Sequence, residues 1–248
     1  DGKRIAFESN RSGAYEIWVA RTDGTGPMQL TSFGRDTGSP HWSPDGRWIA
    51  FDTYMSSGGW DIWIVDSEGG KLRRLTNGEG ISHVPSFSRD GKWIYFGNDR
   101  TGRWEVCRIP FGGGAAMQVT HRGASIPQES TDGQVIYYLK TGNPRGGVEP
   151  LYETSASGIG EHALGIMVAD RAFQVVGNGI YFISPAGNDD RGREIRFYQF
   201  ATHRTRIIQA LGDVRSYLGF SVSPDRRTFL YTVVQHYGSN LMLMEKFR

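Results

Sequence analysis

The sequence repeats one short turn at nearly constant spacing. The segment "SPHWSPDGRWIAFDT" begins at Ser39, a close copy "VPSFSRDGKWIYFGN" begins at Val84, and the chain opens with "DGKRIAFES". Successive turns are 44, 45, 42, 46 and 47 residues apart, and their marker residues are Gly2, Gly46, Gly91, Gly133, Gly179 and Arg226. A period of this length predicts a fold built from six similar units.

Each unit contains the same succession of strand-like segments. An apolar run such as "WIAFDT" follows the turn, and a second run such as "WDIWIVD" follows a loop rich in Gly or Ser. Next comes a short segment ending in Leu-Thr or Val-Thr, and the stretch that leads into the next turn supplies the fourth strand. β-Branched and aromatic residues dominate these runs without a sustained helical period, which predicts an all-β fold.

Four antiparallel strands cannot bury both faces of their sheet alone, and repeating such sheets around an axis solves this problem. The sequence therefore predicts a β-propeller of six blades, each of four antiparallel strands, in one domain over residues 1–248. Two unrelated β-sandwiches are the alternative, but a sandwich has no reason to repeat this turn. The chain begins at the second strand of its first unit and ends at the third strand of its last. We therefore expect those two blades to be incomplete and the natural protein to be longer.

Composition excludes several classes of function. The 28 basic and 26 acidic residues are interspersed and leave a net charge of +2, so we expect no nucleic-acid partner. Cys107 is the single cysteine and cannot form an intrachain disulfide. No apolar stretch reaches the ~20 residues that span a bilayer. The sequence has no G-x-S-x-G or H-E-x-x-H motif, so we expect a non-enzymatic domain without a cofactor. We also expect the domain to be monomeric.

The segment "HWSPDGRWIAFDT…WDIWIVDSEGGKLRRLT" resembles the TolB-like repeat of bacterial β-propellers, which is similar to the WD repeat. The resemblance covers nearly the whole chain and is best in the second and third units. It implies a propeller that binds other proteins. The ending "SNLMLMEKFR" also resembles the propeller end of bacterial membrane sensor-regulators, in which a winged-helix or kinase domain precedes a membrane span. Both resemblances imply a periplasmic or other extracytoplasmic location.

The strand leading into each turn would line the central channel of a propeller. Residues four positions before the turn's Asp are polar in every unit, whereas those three positions before it are apolar in four of five. Because neighbouring residues of a strand point to opposite faces, we expect the polar set to face the channel, either as solvated lining or as a ligand site. This channel set is His41, Ser86, Gln128, Gln174 and Ser221.

Loops that enter these strands would cluster around one channel opening, the predicted mouth. They are rich in arginine, which is frequent at recognition surfaces, and a rigid scaffold would position them. A solvated rim is the alternative. The mouth set is Arg35, Asp36, His83, Arg122, Asp170, Arg171, Arg215 and Tyr217.

Two further patterns receive structural interpretations. The recurrent acids Glu16, Asp61 and Glu105 open the second run of three units, and this repetition favours a role in bonding a turn. His41 and His83 lie near the predicted channel end, but no third ligand accompanies them, so we expect no metal site.

The sequence thus favours a non-catalytic propeller that binds a protein or peptide at the channel mouth, as the sensor domain of a membrane-bound regulator. The alternative is the gating propeller of a serine peptidase whose hydrolase domain lies outside this chain. A sugar-active enzyme would need several carboxylates in the channel, where the sequence places only Glu129.

Overall fold

A computed structural model describes residues 2–140, 147–187, 189–212, 216–235 and 238–245 of the chain. These residues form β-strands, turns and loops, and the predicted all-β class is confirmed. Within the same residues, no helix exists that could cross a membrane.

The strands form six antiparallel sheets, and in each sheet the strands follow one another in chain order. The first sheet contains β1 (Arg4–Ser9), β2 (Glu16–Arg21) and β3 (Met28–Gln29). The second contains β4 (Thr37–Trp42), β5 (Trp48–Tyr54), β6 (Trp60–Asp66) and β7 (Leu72–Arg74). The third contains β8 (Ser82–Phe87), β9 (Trp93–Asn98), β10 (Glu105–Pro110) and β11 (Met117–Gln118).

The remaining sheets repeat this arrangement, and the third and fourth strands of the fourth and fifth sheets are longer. The fourth contains β12 (Ser125–Glu129), β13 (Val135–Leu139), β14 (Val148–Ser155) and β15 (His162–Ala169). The fifth contains β16 (Phe173–Val176), β17 (Gly179–Ala186), β18 (Asp189–Gln199) and β19 (Arg204–Gly212). The sixth contains β20 (Ser216–Val222), β21 (Thr228–Gln235) and β22 (Gly238–Glu245). Since two of these sheets have three strands, the number of sheets does not establish the number of blades.

The chain divides into two compact units, Asp1–Tyr138 with Thr154–Gly160 and Leu139–Glu153 with Glu161–Arg248. In the first unit, apolar side chains fill the spaces between successive sheets. One cluster contains Ile17, Ile49 and Phe51, and another contains Ile64 and Phe87. Each cluster draws residues from adjacent sheets, as expected for sheets too thin to bury both faces alone.

The second unit has its own aromatic core. Tyr181 packs against Phe197 at a ring-centroid distance of 4.6 Å and against Phe229 at 5.2 Å. Ile183 and Ile195 are fully buried beside them. The fifth and sixth sheets therefore pack in the same manner as the sheets of the first unit.

Three acids hold the short strands in place, as the sequence predicts for Glu16, Asp61 and Glu105. In the second sheet, an Asp61 oxygen accepts hydrogen bonds from the Thr76 hydroxyl at 2.6 Å and from a loop N–H at 3.0 Å. The Thr76 hydroxyl in turn accepts the backbone N–H of Ile62 at 2.9 Å. The same bracing pairs Glu16 with Thr31 and Glu105 with Thr120. The predicted structural role of these acids is confirmed, and the recurrent Leu-Thr or Val-Thr ending has its explanation.

The recurrent turn is closed by its serine. The Ser43 hydroxyl donates to Asp45 at 2.6 Å and accepts the backbone N–H of Trp48 at 2.9 Å. Gly46 has a φ of 70°, which favours glycine at that position. The same serine and aspartate recur in the turns at Ser88, Ser130 and Ser223. This turn joins the first two strands of each of these sheets.

Candidate functional site

The first strands of three sheets share a strained bulge. Ser39, Val84 and Ile126 have positive φ values of 53°, 47° and 57°, and each lies six residues before the aspartate of its turn. This conformation is a genuine outlier for β-branched residues. Register shifts accompany the bulge in β4 and β8, as expected for inserted residues.

Carboxylates of the preceding sheets explain two of these bulges. The backbone N–H of Ser39 donates to Glu8 at 3.3 Å, and that of Val84 donates to Asp52 at 2.8 Å. Glu8 lies on β1 and Asp52 on β5, so each bond joins one sheet to the next. The strained backbone is thus offset by charge-assisted hydrogen bonds that fix the first strands of the second and third sheets to the preceding sheet.

Two of the predicted channel residues also connect neighbouring first strands. The Nδ1 atom of His41 accepts the backbone N–H of Phe87 at 3.3 Å. Ser86 is buried, and its hydroxyl donates to the carbonyl of Pro127 at 2.7 Å. Gln128 is half-buried on β12. Burial, reinforced by the nearby Arg89 guanidinium, lowers the pKa of His41 to about 4, so its ring is a neutral acceptor at physiological pH.

The other predicted channel residues belong to the second unit. Gln174 lies on β16 opposite Tyr181 and is half-buried. Ser221 lies on β20 opposite Leu230 and is exposed.

Three predicted mouth residues lie on loops of the first unit. Arg35 and Asp36 precede β4, and Arg122 precedes β12. Asp36 and Arg122 are exposed, while Arg35 is half-buried and donates from Nε to the carbonyl of Phe33 at 3.4 Å. Among the described residues, neither arginine has a carboxylate partner within ion-pair distance. Two cationic side chains are therefore available at loops that enter first strands.

His83, also predicted for the mouth, has a different environment. It lies within β8, is only 6% exposed, and packs its ring against Trp104 at a centroid distance of 4.0 Å. Gly97 provides the space, because a Cβ atom there would lie 2.5 Å from the Nε2 of His83. The ring of His83 therefore contributes to packing within the third sheet.

The remaining mouth residues belong to the second unit or lie outside the described residues. Asp170 and Arg171 are consecutive left-handed residues between β15 and β16, with φ values of 52° and 63°. The Asp170 carboxylate lies 3.6 Å from the Nε of Arg193. Arg215 is outside the described residues, as is the side chain of Tyr217.

A cleft that the sequence analysis did not predict lies between the third and fourth sheets of the first unit. Its volume is about 470 Å³, and the lining residues include Trp93, Tyr95, Arg108, Glu129 and Ala156. It adjoins the turn that follows β12, whereas the mouth loops precede that strand. The cleft and the mouth loops are therefore at opposite ends of the first strands.

Hydrogen bonds hold the acid of this cleft in place. Glu129 is 7% exposed and accepts the backbone N–H of Arg89 at 2.6 Å and the hydroxyl of Tyr95 at 3.0 Å. Burial, together with the Glu129 charge, raises the pKa of Tyr95 to about 12. Tyr95 therefore remains a hydrogen-bond donor at physiological pH.

One deviation in the sequence pattern points to this cleft. Glu129 stands at the position three before the turn's aspartate, which is Trp42, Phe87, Val175 or Val222 in the other units. An acid at a position that is apolar in the other units indicates that the interface between the third and fourth sheets has a different composition. The space beside it depends on packing between sheets and therefore could not be derived from the strand pattern.

No group of three or more His, Cys, Asp or Glu side chains suited to a metal ion occurs within the described part of the chain. The acids of the first unit described above bond to hydroxyls of threonine, serine and tyrosine and to backbone N–H groups, and Asp61 and Glu105 also pair with arginines.

The fold is that of a β-propeller, a class of repeat protein. Its antiparallel sheets, most of them four-stranded, repeat with the same turn, several share the acid–threonine brace, and hydrogen bonds join neighbouring first strands. The chain belongs to the TolB beta propeller domain family, whose model matches residues 1–157.

Similar proteins agree with this assignment. The Tol-Pal system protein TolB of Desulfosudis oleivorans is 41% identical over 51 residues, which are 21% of this chain and 12% of that protein. TolB from Acinetobacter baumannii has a similar structure, with a TM-score of 0.77 and 19% identity over 98% of this chain and 61% of that chain. A puromycin hydrolase has a TM-score of 0.60 and 16% identity over 88% of this chain and 37% of that chain. At these identities, the two structural similarities establish the fold alone.

Proposed function

We propose that this domain is a non-catalytic binding module that holds an acidic segment of a protein or peptide at the mouth loops. The observation that carries the proposal is the pair of arginines, Arg35 and Arg122, which have no carboxylate partner among the described residues. Arginine binds carboxylates through two parallel hydrogen bonds, and its charge also steers an acidic partner toward the surface.

The scaffold beneath these loops supports the proposal. Arg35 and Arg122 immediately precede β4 and β12, which carry the strained residues Ser39 and Ile126. Ser39 is bonded to the preceding sheet through Glu8. A loop that emerges from a fixed strand loses little entropy when it binds, which favours recognition at this place.

The wider biological setting belongs to the same proposal. We place the domain outside the cytoplasm, as a monomeric sensor domain of a membrane-bound regulator. The support is the similarity to a protein named for the Tol-Pal system and the two resemblances read from the sequence. We also propose that each of the six sheets is one blade; the first and sixth sheets have three strands and the other four have four. We propose further that residues 1–248 form a single domain. We also propose that the other channel and mouth residues contribute to ligand binding.

The fold also supports a second function, the gating propeller of a serine peptidase. The similarity to a puromycin hydrolase over 88% of this chain favours it. The genomic sequence around this chain separates the two proposals. A hydrolase domain with a nucleophile elbow would support the peptidase, and a membrane span with a winged-helix or kinase domain would support the sensor.

Charge reversal tests the mouth directly. The mouth variant is Arg35→Glu/Arg122→Glu. The control variant is Arg21→Glu/Arg204→Glu, which has the same net charge and replaces exposed arginines at strand ends. Each variant is immobilised and exposed to envelope proteins of the native host, with circular dichroism to verify folding. We expect the mouth variant to lose captured partners that the wild type and the control retain. Equal capture by all three proteins would refute the proposal.

A further inference from the structure

Two successive interfaces between sheets in the first unit have equivalent backbone geometry but different contents. The backbone N–H of Phe111 donates to the carbonyl of Lys92 at 2.7 Å, and that of Ala156 donates to the carbonyl of Gln134 at 2.8 Å. Lys92 and Gln134 each follow the glycine of the recurrent turn. Phe111 and Ala156 therefore occupy the same position in consecutive sheets.

In the interface between the second and third sheets, the ring of Phe111 fills this position. It packs against Trp48 at a centroid distance of 5.6 Å and against Phe87 at 6.2 Å. Ala50 and Ile64 complete the same apolar cluster. This interface therefore contains an aromatic ring, partly buried, that covers the apolar cluster.

In the interface between the third and fourth sheets, the corresponding ring is missing. Trp93 stands where the preceding sheet has Trp48, while Ala156 replaces Phe111 and Glu129 replaces Phe87. The cross-strand pair Ala50 and Ile64 becomes Tyr95 and Arg108. The cleft of about 470 Å³ occupies this place, and it lies within the range of small-ligand sites.

The cleft has a positive charge, the guanidinium of Arg108, which donates a hydrogen bond to the Tyr95 hydroxyl. Glu129 is bonded to Tyr95 and to the backbone of Arg89, and Asp90 and Asp132 are bonded within their own turns. Arg108 lies over the ring of Trp93, 4.5 Å from its centroid. Within the described residues, it has no carboxylate at ion-pair distance. Compared with the preceding interface, the cleft therefore lacks a ring beside Trp93, and among the described residues it lacks a carboxylate in direct contact with Arg108.

We propose that this cleft binds the C-terminal aromatic residue of a peptide. The ring of that residue takes the place that Phe111 fills in the preceding interface, and its terminal carboxylate pairs with Arg108. A C-terminal phenylalanine joins both groups at the short distance that separates Trp93 and Arg108, which are in contact. The inference goes beyond the proposed function, because the cleft is a different surface from the mouth loops.

Isothermal titration of the whole chain with acetyl-Gly-Gly-Phe tests this site. We expect saturable binding, weakened at least about tenfold when the C-terminal carboxylate is amidated or the phenylalanine is replaced by alanine, since each change removes roughly 1.4 kcal/mol or more. The variant Ala156→Phe should abolish binding by supplying the missing ring, while the control Ala156→Ser binds as the wild type does. Arg108→Ile, which copies Ile64, should remove the preference for the acid over the amide.

The possible results separate this inference from the proposed function. Arg35→Glu/Arg122→Glu should bind the tripeptide like the wild type, because the mouth loops are at the other end of the first strands. Absence of saturation, or binding that persists in a folded Ala156→Phe variant, would overturn the cleft proposal and leave the mouth test intact. Equal affinity for 3-phenylpropionate would also overturn it, because the ligand would then be a small aromatic acid and not a peptide.

Discussion

His41 on β4 accepts the backbone N–H of Phe87 on β8 through its Nδ1 atom, at 3.3 Å. This bond joins the first strands of consecutive sheets, and it exists only while Nδ1 carries no proton. A residue predicted to face a channel thus also serves the packing between sheets. The neutral ring is maintained by burial and by the Arg89 guanidinium, which together lower the pKa of His41 to about 4.

The first prediction concerns the pH dependence of stability. Because the folded pKa lies below the unfolded value of about 6.5, the unfolded chain binds the proton more readily. The contribution of the neutral His41 to the free energy of unfolding is complete above pH 6.5 and falls as the pH drops toward 4. Below pH 4 it no longer changes. We expect His41→Asn, which keeps an acceptor that does not titrate, to flatten the fall in Tm between pH 6.5 and 4. His162→Asn is the control at an exposed histidine, and identical profiles for all three proteins would contradict the prediction.

The second prediction concerns the acid–threonine brace. Replacing Thr120 with valine keeps the shape but removes the hydroxyl that bonds both Glu105 and the backbone of Val106, at 2.7 and 2.8 Å. Since a buried carboxylate and a buried N–H lose a partner, we expect a loss of about 1–3 kcal/mol in unfolding free energy. Thr120→Ser retains the hydroxyl and should lose less. Chemical denaturation measures both, and a valine variant as stable as the serine variant would exclude the brace as a source of stability.

The third prediction concerns the recurrent turn. The Ser43 hydroxyl, followed by the backbone N–H of Arg47, lowers the pKa of Asp45. The lowered pKa contributes stability above the ordinary carboxylate value, and this contribution is lost as the pH falls through the folded pKa. Ser43→Ala should therefore raise the pKa of Asp45 toward its ordinary value, as measured by NMR titration of its carboxyl carbon. Ser32→Ala, at an exposed serine, is the control. If the Asp45 titration is unchanged in Ser43→Ala, the Ser43 hydroxyl is not the cause of the lowered pKa.

The fourth prediction concerns Cys107. Burial, with a smaller effect of the Glu105 carboxylate, raises the pKa of this thiol to about 11, and the side chain is 1% exposed. The reactive thiolate is therefore scarce and inaccessible at pH 8. We expect a disulfide reagent to modify the native protein at least about 100-fold more slowly than a Cys107→Ser/Ser57→Cys control, whose thiol is at an exposed position. Equal rates in the two native proteins would show that the third sheet opens readily.

The sequence pattern predicts the repeated parts of this fold because they depend on local chemistry. The turn at Ser43 and the strand after it are encoded within a few residues, and the spacing of copies predicts the succession of sheets. The acids Glu16, Asp61 and Glu105 could be assigned a structural role because a catalytic residue has no reason to recur in three successive units.

Features that depend on neighbouring sheets could not be predicted in the same way. The burial of His83 results from the absence of a side chain at Gly97 on the adjacent strand. The bulge at Val84 depends on Asp52 of the preceding sheet. The cleft likewise exists because Ala156 takes the place of an aromatic ring, and only a register between sheets relates that alanine to Phe111.

Hydrogen exchange of the domain with a captured partner tests the central claim most directly, because it locates the bound surface without a mutation. Binding at the mouth predicts slower exchange in the loops around residues 33–37 and 120–124, which carry Arg35 and Arg122. Slower exchange confined to other parts of the chain, with these two loops unchanged, would contradict the claim.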